Sequence, residues 1–339
     1  MSDLASNLAG KTIGKWKVDK KLSTSGGFSS AYAVTHEDGT TAFMKATNVT
    51  YAANSLQFHG SRVDLMSGLL DEFRHERDLL KLCGEERLDR VVVALDSGEH
   101  QEPGSFFVPY LVFEFCPHGD MRRHPKLQNA GLVWRLKVFH GICVGLSQLH
   151  SRSIAQGDLK PANVLVFGED FSKISDLGFS LRDDKSARST NSGFRGDLSF
   201  APLETLYGHT ERDWNVRHKG GDMFMLGGLL AFLVADVHLV GKILTKLPMA
   251  YHPQVWKGGY TAALPAVRTA TYDTVQEITA ALPKEIQADV QEMLLWLSEP
   301  EPAKRGHPQT VLSQGGDRYS LERIISIADR IGKQARLIA

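Results

Sequence analysis

The run Gln156-Gly157-Asp158-Leu159-Lys160-Pro161-Ala162-Asn163 decides how this chain is read. A short apolar segment, Val164 to Phe167, follows it, and a second, Lys173 to Ser175, ends at Asp176. Asp158, Asn163 and Asp176 therefore lie at the ends of short strand-like segments, near enough in sequence to converge. Two carboxylates and an amide oxygen make an oxygen-rich site of the kind Mg²⁺ accepts, with phosphate and water completing its shell. Lys160 adds a cation two residues from Asp158. Together these groups can hold a nucleoside triphosphate and accept a hydroxyl proton. Taken singly, a loop carboxylate or a turn asparagine is an ordinary solvated residue, so the weight rests on the combination.

Working outward, the 339 residues are 42% hydrophobic and 23% charged, an ordinary globular balance with room for two modest domains. Lys plus Arg and Asp plus Glu both number 39, so the formal net charge is zero and no nucleic-acid or membrane partner is expected. Cys83, Cys116 and Cys143 lack paired spacing, which argues against a disulfide framework or a zinc site and for a reducing compartment. No basic start followed by an apolar core opens the sequence, so no signal peptide is read and a cytoplasmic location is expected. The most apolar stretch, Met223 to Gly241, is interrupted by Asp236 and His238 and reads as a buried core helix rather than a membrane span. Asn48-Val49-Thr50 fits a glycosylation sequon by chance.

The first fifty residues read as strands joined by turns. Trp16 to Leu22 alternates partly, Ser25-Gly26-Gly27 punctuates, and Ala31 to Val34 and Ala42 to Ala46 flank a turn at Glu37-Asp38-Gly39. From Val63 to Leu82 the period becomes helical, with Leu65, Leu69, Phe73, Glu76 and Leu80 on one face. Two further apolar runs, Val91 to Leu95 and Phe106 to Phe115, read as strands and end in the hinge-like Cys116-Pro117-His118-Gly119. A helix near Trp134 to Ser151 and several later helical patterns complete the chain. Strands first and helices afterwards indicate an α+β protein with two unequal lobes: 1–115, 116–312, and a docked final helix in 313–339 carrying Leu321, Ile324, Ile325, Ile327 and Ile331.

The opening run resembles the H-R-D-L-K-x-x-N catalytic loop of eukaryotic-type protein kinases, from the Asp through the Asn. Six further segments, in the family's order, extend the resemblance over roughly 16 to 312. Phe43-Met44-Lys45 is similar to the end of V-A-I-K, Glu76 to the helix glutamate that pairs with that lysine, and Asp176-Leu177-Gly178 to D-F-G. Phe200-Ala201-Pro202-Leu203-Glu204 is similar to A-P-E, Asp222 to the aspartate that braces the catalytic loop, and Arg305 to the arginine that pairs with the A-P-E glutamate. The resemblance implies a bilobal kinase-like fold, with a small antiparallel-sheet N-lobe bearing one main helix and a larger, mostly helical C-lobe. It implies ATP with Mg²⁺ or Mn²⁺, and an unidentified protein substrate, with Ser/Thr favoured by Lys160. In that scheme Asp158 is the base and Lys160 steadies the phosphoryl group. Lys45 meets the α/β-phosphates, Glu76 holds Lys45, and Asn163 and Asp176 ligate metal. Gly26, Gly27 and Phe28 lie over the phosphates, Ala31 and Phe43 roof the adenine, and Phe113 is the gatekeeper. The backbone of Glu114 and Cys116 meets adenine, Asp120 meets the ribose, and Leu165 packs beneath the ring.

Several positions depart from the family pattern. Thr24-Ser25-Gly26-Gly27-Phe28-Ser29 keeps one glycine of G-x-G-x-x-G, and Phe43 stands where a small alanine is usual. Ala31, in place of a valine, offsets that volume. Gln156-Gly157 replaces His-Arg, which removes the cation an activation-loop phosphate would neutralise, so switching by such a phosphate is not expected. Asp197 replaces the usual threonine beside the catalytic Asp and Lys. Two alternatives follow: a pseudokinase serving as a scaffold, and a small-molecule phosphotransferase, whose H-G-D motif Gly157-Asp158 resembles.

Overall fold

The protein is described by a computed structural model. The described residues are 4–25, 28–49, 61–105, 107–124, 127, 131–184, 194–312 and 316–338. The chain forms two compact units, Met1–Pro117 with Asp176–Gly178, and His118–Ser175 with Phe179–Ala339. This is the α+β, strands-then-helices architecture that the sequence implies.

In the first unit, strands β1 (Thr12–Ile13), β2 (Trp16–Ser25), β3 (Ser29–His36), β4 (Thr41–Thr47), β5 (Ala94–His100) and β6 (Val108–Glu114) form one antiparallel sheet in the order β1-β2-β3-β4-β6-β5. The helix α1 (Arg62–Glu85) lies between β4 and β5 in sequence. Its entry is set by Ser61, whose hydroxyl accepts the Asp64 N–H as an N-cap. It packs on β5 and β6, burying Phe73, Glu76, Leu79, Leu80 and Cys83 at helical spacing.

Strand alternation gives β4 two unlike faces. Ala42, Met44 and Ala46 join Val18, Tyr32, Val34, Val108, Tyr110 and Val112 in a core closed from outside by Leu4, Ala5, Leu8 and Ile13. This N-terminal strap has no period that a sequence reading could detect, because it is a 3-10 turn followed by irregular chain. It is tied down by the Tyr32 hydroxyl donating to the Ala5 carbonyl (2.7 Å), by mutual backbone bonds with Val18, and by Lys11–Glu102. The other face of β4 carries Phe43 and Lys45, in register with Ala33 and Ala31 on β3 and with Phe113 and Leu111 on β6. One reading is corrected here. In the apolar run Val91 to Leu95 only Val91 and Val92 are buried, ahead of the strand, and β5 itself begins at Ala94 and is half polar, being an edge strand.

The second unit contains α2 (Leu132–Ser151), β7 (Ile154–Ala155), the hairpin β8 (Val164–Phe167) and β9 (Phe171–Ile174), and β10 (Leu181–Arg182), which pairs with β7. Then follow α3 (Leu203–Leu206), α4 (Gly220–Ala235), α5 (Leu239–Lys246), α6 (Tyr260–Ala280), α7 (Lys284–Leu297) and α8 (Glu322–Ile338). The apolar stretch Met223 to Gly241 is divided between α4 and α5, and α4 is buried almost throughout. Among the described residues no single helix is long and apolar enough to cross a membrane. Helix α8 packs on α2 and α7 through Ile324, Ala328, Ile331 and Ala335.

Candidate active site

In the first unit β4 presents Lys45, and the buried face of α1 presents Glu76. The Lys45 Nζ lies 3.0 and 3.2 Å from the two Glu76 oxygens and 3.1 Å from Asp176 Oδ1. Asp176 adopts φ 56°, a left-handed conformation that aspartate tolerates better than most side chains. Burial works against the Lys45 charge, but Asp176 and Glu76 outweigh it and hold its pKa above the ordinary lysine value. Burial also raises the Glu76 pKa, opposed by Lys45. The cluster is thus an ammonium held between two carboxylates, and Asp176 is half exposed, open to a hard cation. Among the described residues no three His, Cys, Asp or Glu side chains are grouped to hold a metal ion on their own.

In the second unit, Asp222 near the start of α4 accepts the N–H groups of Gln156 (2.8 Å) and Gly157 (2.9 Å), and its Oδ2 pairs with His150 Nε2 (2.8 Å). This fully buried carboxylate fixes the turn before Asp158. The buried Gln156 side chain then accepts the Asp158 N–H (2.7 Å), so an amide oxygen organises the loop where the family pattern has a histidine. Gly157 has φ 76°, and a Cβ there would lie 2.8 Å from the Phe179 carbonyl oxygen. The missing arginine therefore coincides with a backbone that excludes any side chain.

The Asp158 carboxylate is nearly buried and fully engaged. Oδ1 accepts the Asp197 N–H (2.7 Å), and Oδ2 meets Asn163 Nδ2 (3.0 Å) and Lys160 Nζ (2.9 Å). Burial raises its pKa above the ordinary aspartate value, opposed by Lys160, the Asp197 amide and Asn163. A buried carboxylate with raised proton affinity, oriented by three donors, is suited to accept a proton from a hydroxyl. Asn163 is held through its amide nitrogen, also to the Asp158 carbonyl (2.9 Å), and its amide oxygen is the group of the right chemistry for a cation. Away from these clusters, Arg305 is fully buried and grips Glu204 in a bidentate pair.

The remaining sequence-derived positions fall as follows. Gly26 and Gly27 lie outside the described residues. Phe28 is exposed in a turn whose carbonyl accepts the Asn48 N–H. Phe43 and Phe113 lie with ring centroids 6.2 Å apart, and in the strand register Ala33 is opposite Phe43 while Ala31 is opposite Lys45. The Glu114 N–H donates to the Val93 carbonyl (3.1 Å) and its carboxylate accepts the Val93 N–H (2.8 Å). Cys116 is buried near the end of the first unit. Asp120 caps the short turn Met121–Arg123 and binds Arg122 Nε (2.8 Å) and Nη2 (3.1 Å), so its carboxylate already has a cationic partner. Leu165 sits on β8 and forms a bridge with Asp120. His150, the Gln156 side chain and the Asp197 amide are the working contacts that motif reading passes over.

A family model described as "Protein kinase domain" matches residues 17–315. The chain is similar to an Aurora kinase of Debaryomyces hansenii, 23% identical over 197 residues that cover 58% of this chain and 41% of that protein. It is similar to a rhodopsin kinase of Rattus norvegicus, 29% identical over 234 residues, 67% of this chain and 37% of that one. The SNF1-activating kinase 1 of Saccharomyces cerevisiae is 30% identical over 131 residues, 36% of this chain and 11% of that one. The matched part spans well under half the length of these curated relatives.

Proposed function

The chain belongs to the protein kinase domain family, and on that premise we propose that it transfers the γ-phosphoryl group of Mg-ATP to protein hydroxyls, Ser and Thr foremost, its own included. The observation that carries this reading is the Asp158 carboxylate, buried and oriented by Asn163, Lys160 and the Asp197 amide. Asp158 orients the acceptor hydroxyl and takes its proton. Lys160 steadies negative charge beside it. Lys45, kept charged and in place by Glu76, binds phosphate oxygens. Asp176 and Asn163 are the oxygen donors for Mg²⁺, which when bound neutralises charge on the phosphates. With the Glu114 N–H taken by Val93, the Glu114 contact to adenine falls to its carbonyl oxygen. Phe113, Cys116, Ala31, Phe43 and Leu165 bound the base, and Gly26, Gly27 and Phe28 the phosphates. Asp120 meets the ribose only if Arg122 yields one of its oxygens. The tests are radiolabelled phosphate incorporation into a protein mixture by the wild type, Asp158→Ala and Asp176→Ala. Incorporation by the wild type alone supports the reading. A wild type that binds Mg-ATP yet labels nothing, itself included, favours a scaffold. Labelling of amino-alcohols in place of protein favours a small-molecule phosphotransferase.

A further inference from the structure

The segment from Phe194 to Ser199 leans directly on Asp158. A Cβ on Gly196 would meet the Gly157 carbonyl oxygen at 2.7 Å and Asp158 Oδ1 at 2.8 Å, so the close approach needs glycine at 196. That approach delivers the Asp197 N–H to Asp158 and plants the Asp197 side chain beside the same group of charges, with Oδ2 3.8 Å from Lys160 Nζ. Its other oxygen accepts the Ser199 N–H (2.9 Å) and the Ser199 hydroxyl. The carboxylate is thus locked in orientation by its own loop, with one oxygen turned to Ser199 and the other toward Lys160. Burial pushes its pKa up, but Ser199 and Lys160 outweigh that and hold it below the ordinary aspartate value, so it is charged at neutral pH.

The charges around it do not cancel. Asp120 is taken up by Arg122 and Arg123, which leaves Asp158 and Asp197 to share Lys160, at 2.9 and 3.8 Å. Two carboxylates sharing one ammonium leave one negative charge. Asp158 is nearly buried, whereas the Asp197 side chain is 38% exposed, so the accessible share of that charge belongs to Asp197. The next residue, Leu198, is exposed and offers apolar contact alongside.

We propose that Asp197 is a specificity-determining residue: it selects acceptor segments with a Lys or Arg next to the phosphorylated hydroxyl and rejects those with Asp, Glu or a phosphorylated residue there. This rests on the protein kinase reading. For a partly exposed pair, exchanging attraction for repulsion is worth about a 5- to 10-fold difference between basic and acidic neighbours.

The test uses the full chain, with matched peptides holding one serine flanked by Lys, Gln or Glu. Wild type, Asp197→Asn and Asp197→Lys are compared. The Asn variant keeps the volume, the acceptor for Ser199 and the main-chain N–H to Asp158. The expected order of kcat/KM for the wild type is Lys over Gln over Glu, carried by KM, levelled in Asp197→Asn and reversed in Asp197→Lys. A merely structural role would scale all three peptides alike, so an unchanged ranking in both variants overturns the assignment. Fluorescence anisotropy of the same peptides reads the preference without turnover. Charge-ordered binding without phosphoryl transfer keeps Asp197 and sinks the kinase reading. Transfer with equal use of all three peptides does the reverse.

Discussion

Replacing Arg305 by Met should unfold the second unit at markedly lower temperature, and the structure sets the size of the effect. All five guanidinium N–H groups are used. Nε donates to the Glu299 carbonyl (2.7 Å), Nη1 to Glu204 Oε1 (2.8 Å) and the Gly220 carbonyl (3.2 Å), and Nη2 to Glu204 Oε2 (2.5 Å) and the Pro300 carbonyl (3.2 Å). The guanidinium also lies 5.0 Å from the Phe224 ring centroid. Burial disfavours this charge, but Glu204 more than restores it and holds the Arg305 pKa above its ordinary value. Met fills much of the volume yet strands a buried carboxylate and three carbonyls. Breaking a buried pair on one side costs about 3–5 kcal/mol, whereas replacing both partners by apolar groups is often close to neutral. For a unit of this size each kcal/mol moves Tm by about 2–4 °C, which gives a fall of about 6–20 °C. Urea unfolding of wild type, Arg305→Met, Glu204→Leu and the double variant closes the cycle, and the double variant should recover most of the loss. A single-variant cost below about 1 kcal/mol, or strictly additive losses, would refute the reasoning. Activity should fall with stability, because Gly220, held by Arg305, begins the helix whose Asp222 fixes Gln156 and Gly157.

The acid limb of the kcat/KM profile should have its midpoint above the ordinary aspartate value of about 4, because burial favours the neutral form of Asp158. Lys160→Met should move it higher, since Lys160 favours the charged form; a midpoint at or below 4 contradicts the assignment. The same raised pKa means that the Asp158 contribution to stability is present at low pH and lost as pH rises through the folded value. Asp158→Asn should therefore abolish transfer without lowering Tm at neutral pH, as differential scanning fluorimetry would show. Gly157→Arg, which rebuilds the H-R-D arginine, should cost about 1–3 kcal/mol in urea unfolding, because φ is 76° and the Phe179 oxygen blocks the Cβ; a neutral result would mean that the turn relaxes freely. Leu8→Ala, at a fully buried position of the strap, should cost the first unit about 2–5 kcal/mol, and a loss under about 1 kcal/mol would show that the strap merely rests on the sheet.

What was legible in the sequence is what demands one chemical type at one place. Lys45, Glu76, Asp158, Asn163, Asp176, Glu204, Asp222 and Arg305 could be read because they stand in motifs that resemble those of protein kinases, in that family's order. Their meeting in pairs and triads is seen only in the structure. The strap could not be read, because Leu4, Ala5 and Leu8 cover the sheet from a 3-10 turn and loose chain that follow neither helical nor strand periodicity. The edge strand β5 was displaced in the reading for the opposite reason: its Asp96, Ser97 and Glu99 look like loop, while the buried Val91 and Val92 before it look like strand.

Gln156-Gly157 shows the deeper limit of reading motifs by letter. As letters, the two substitutions look like decay of H-R-D. In the structure Gln156 is fully buried, its side chain accepts the Asp158 N–H, and its carbonyl accepts the Ser180 hydroxyl (3.1 Å). Gly157 takes a conformation open to glycine, and the Gly157 carbonyl oxygen lies where a Cβ on Gly196 would clash. The glycines at 157 and 196 and the aspartate at 197 are therefore one packed arrangement around Asp158, each requiring the others. Stability alone requires that a buried amide be satisfied, so this packing accounts for how Asp158 is held. The departures from the family pattern are thus a different way of holding the same aspartate.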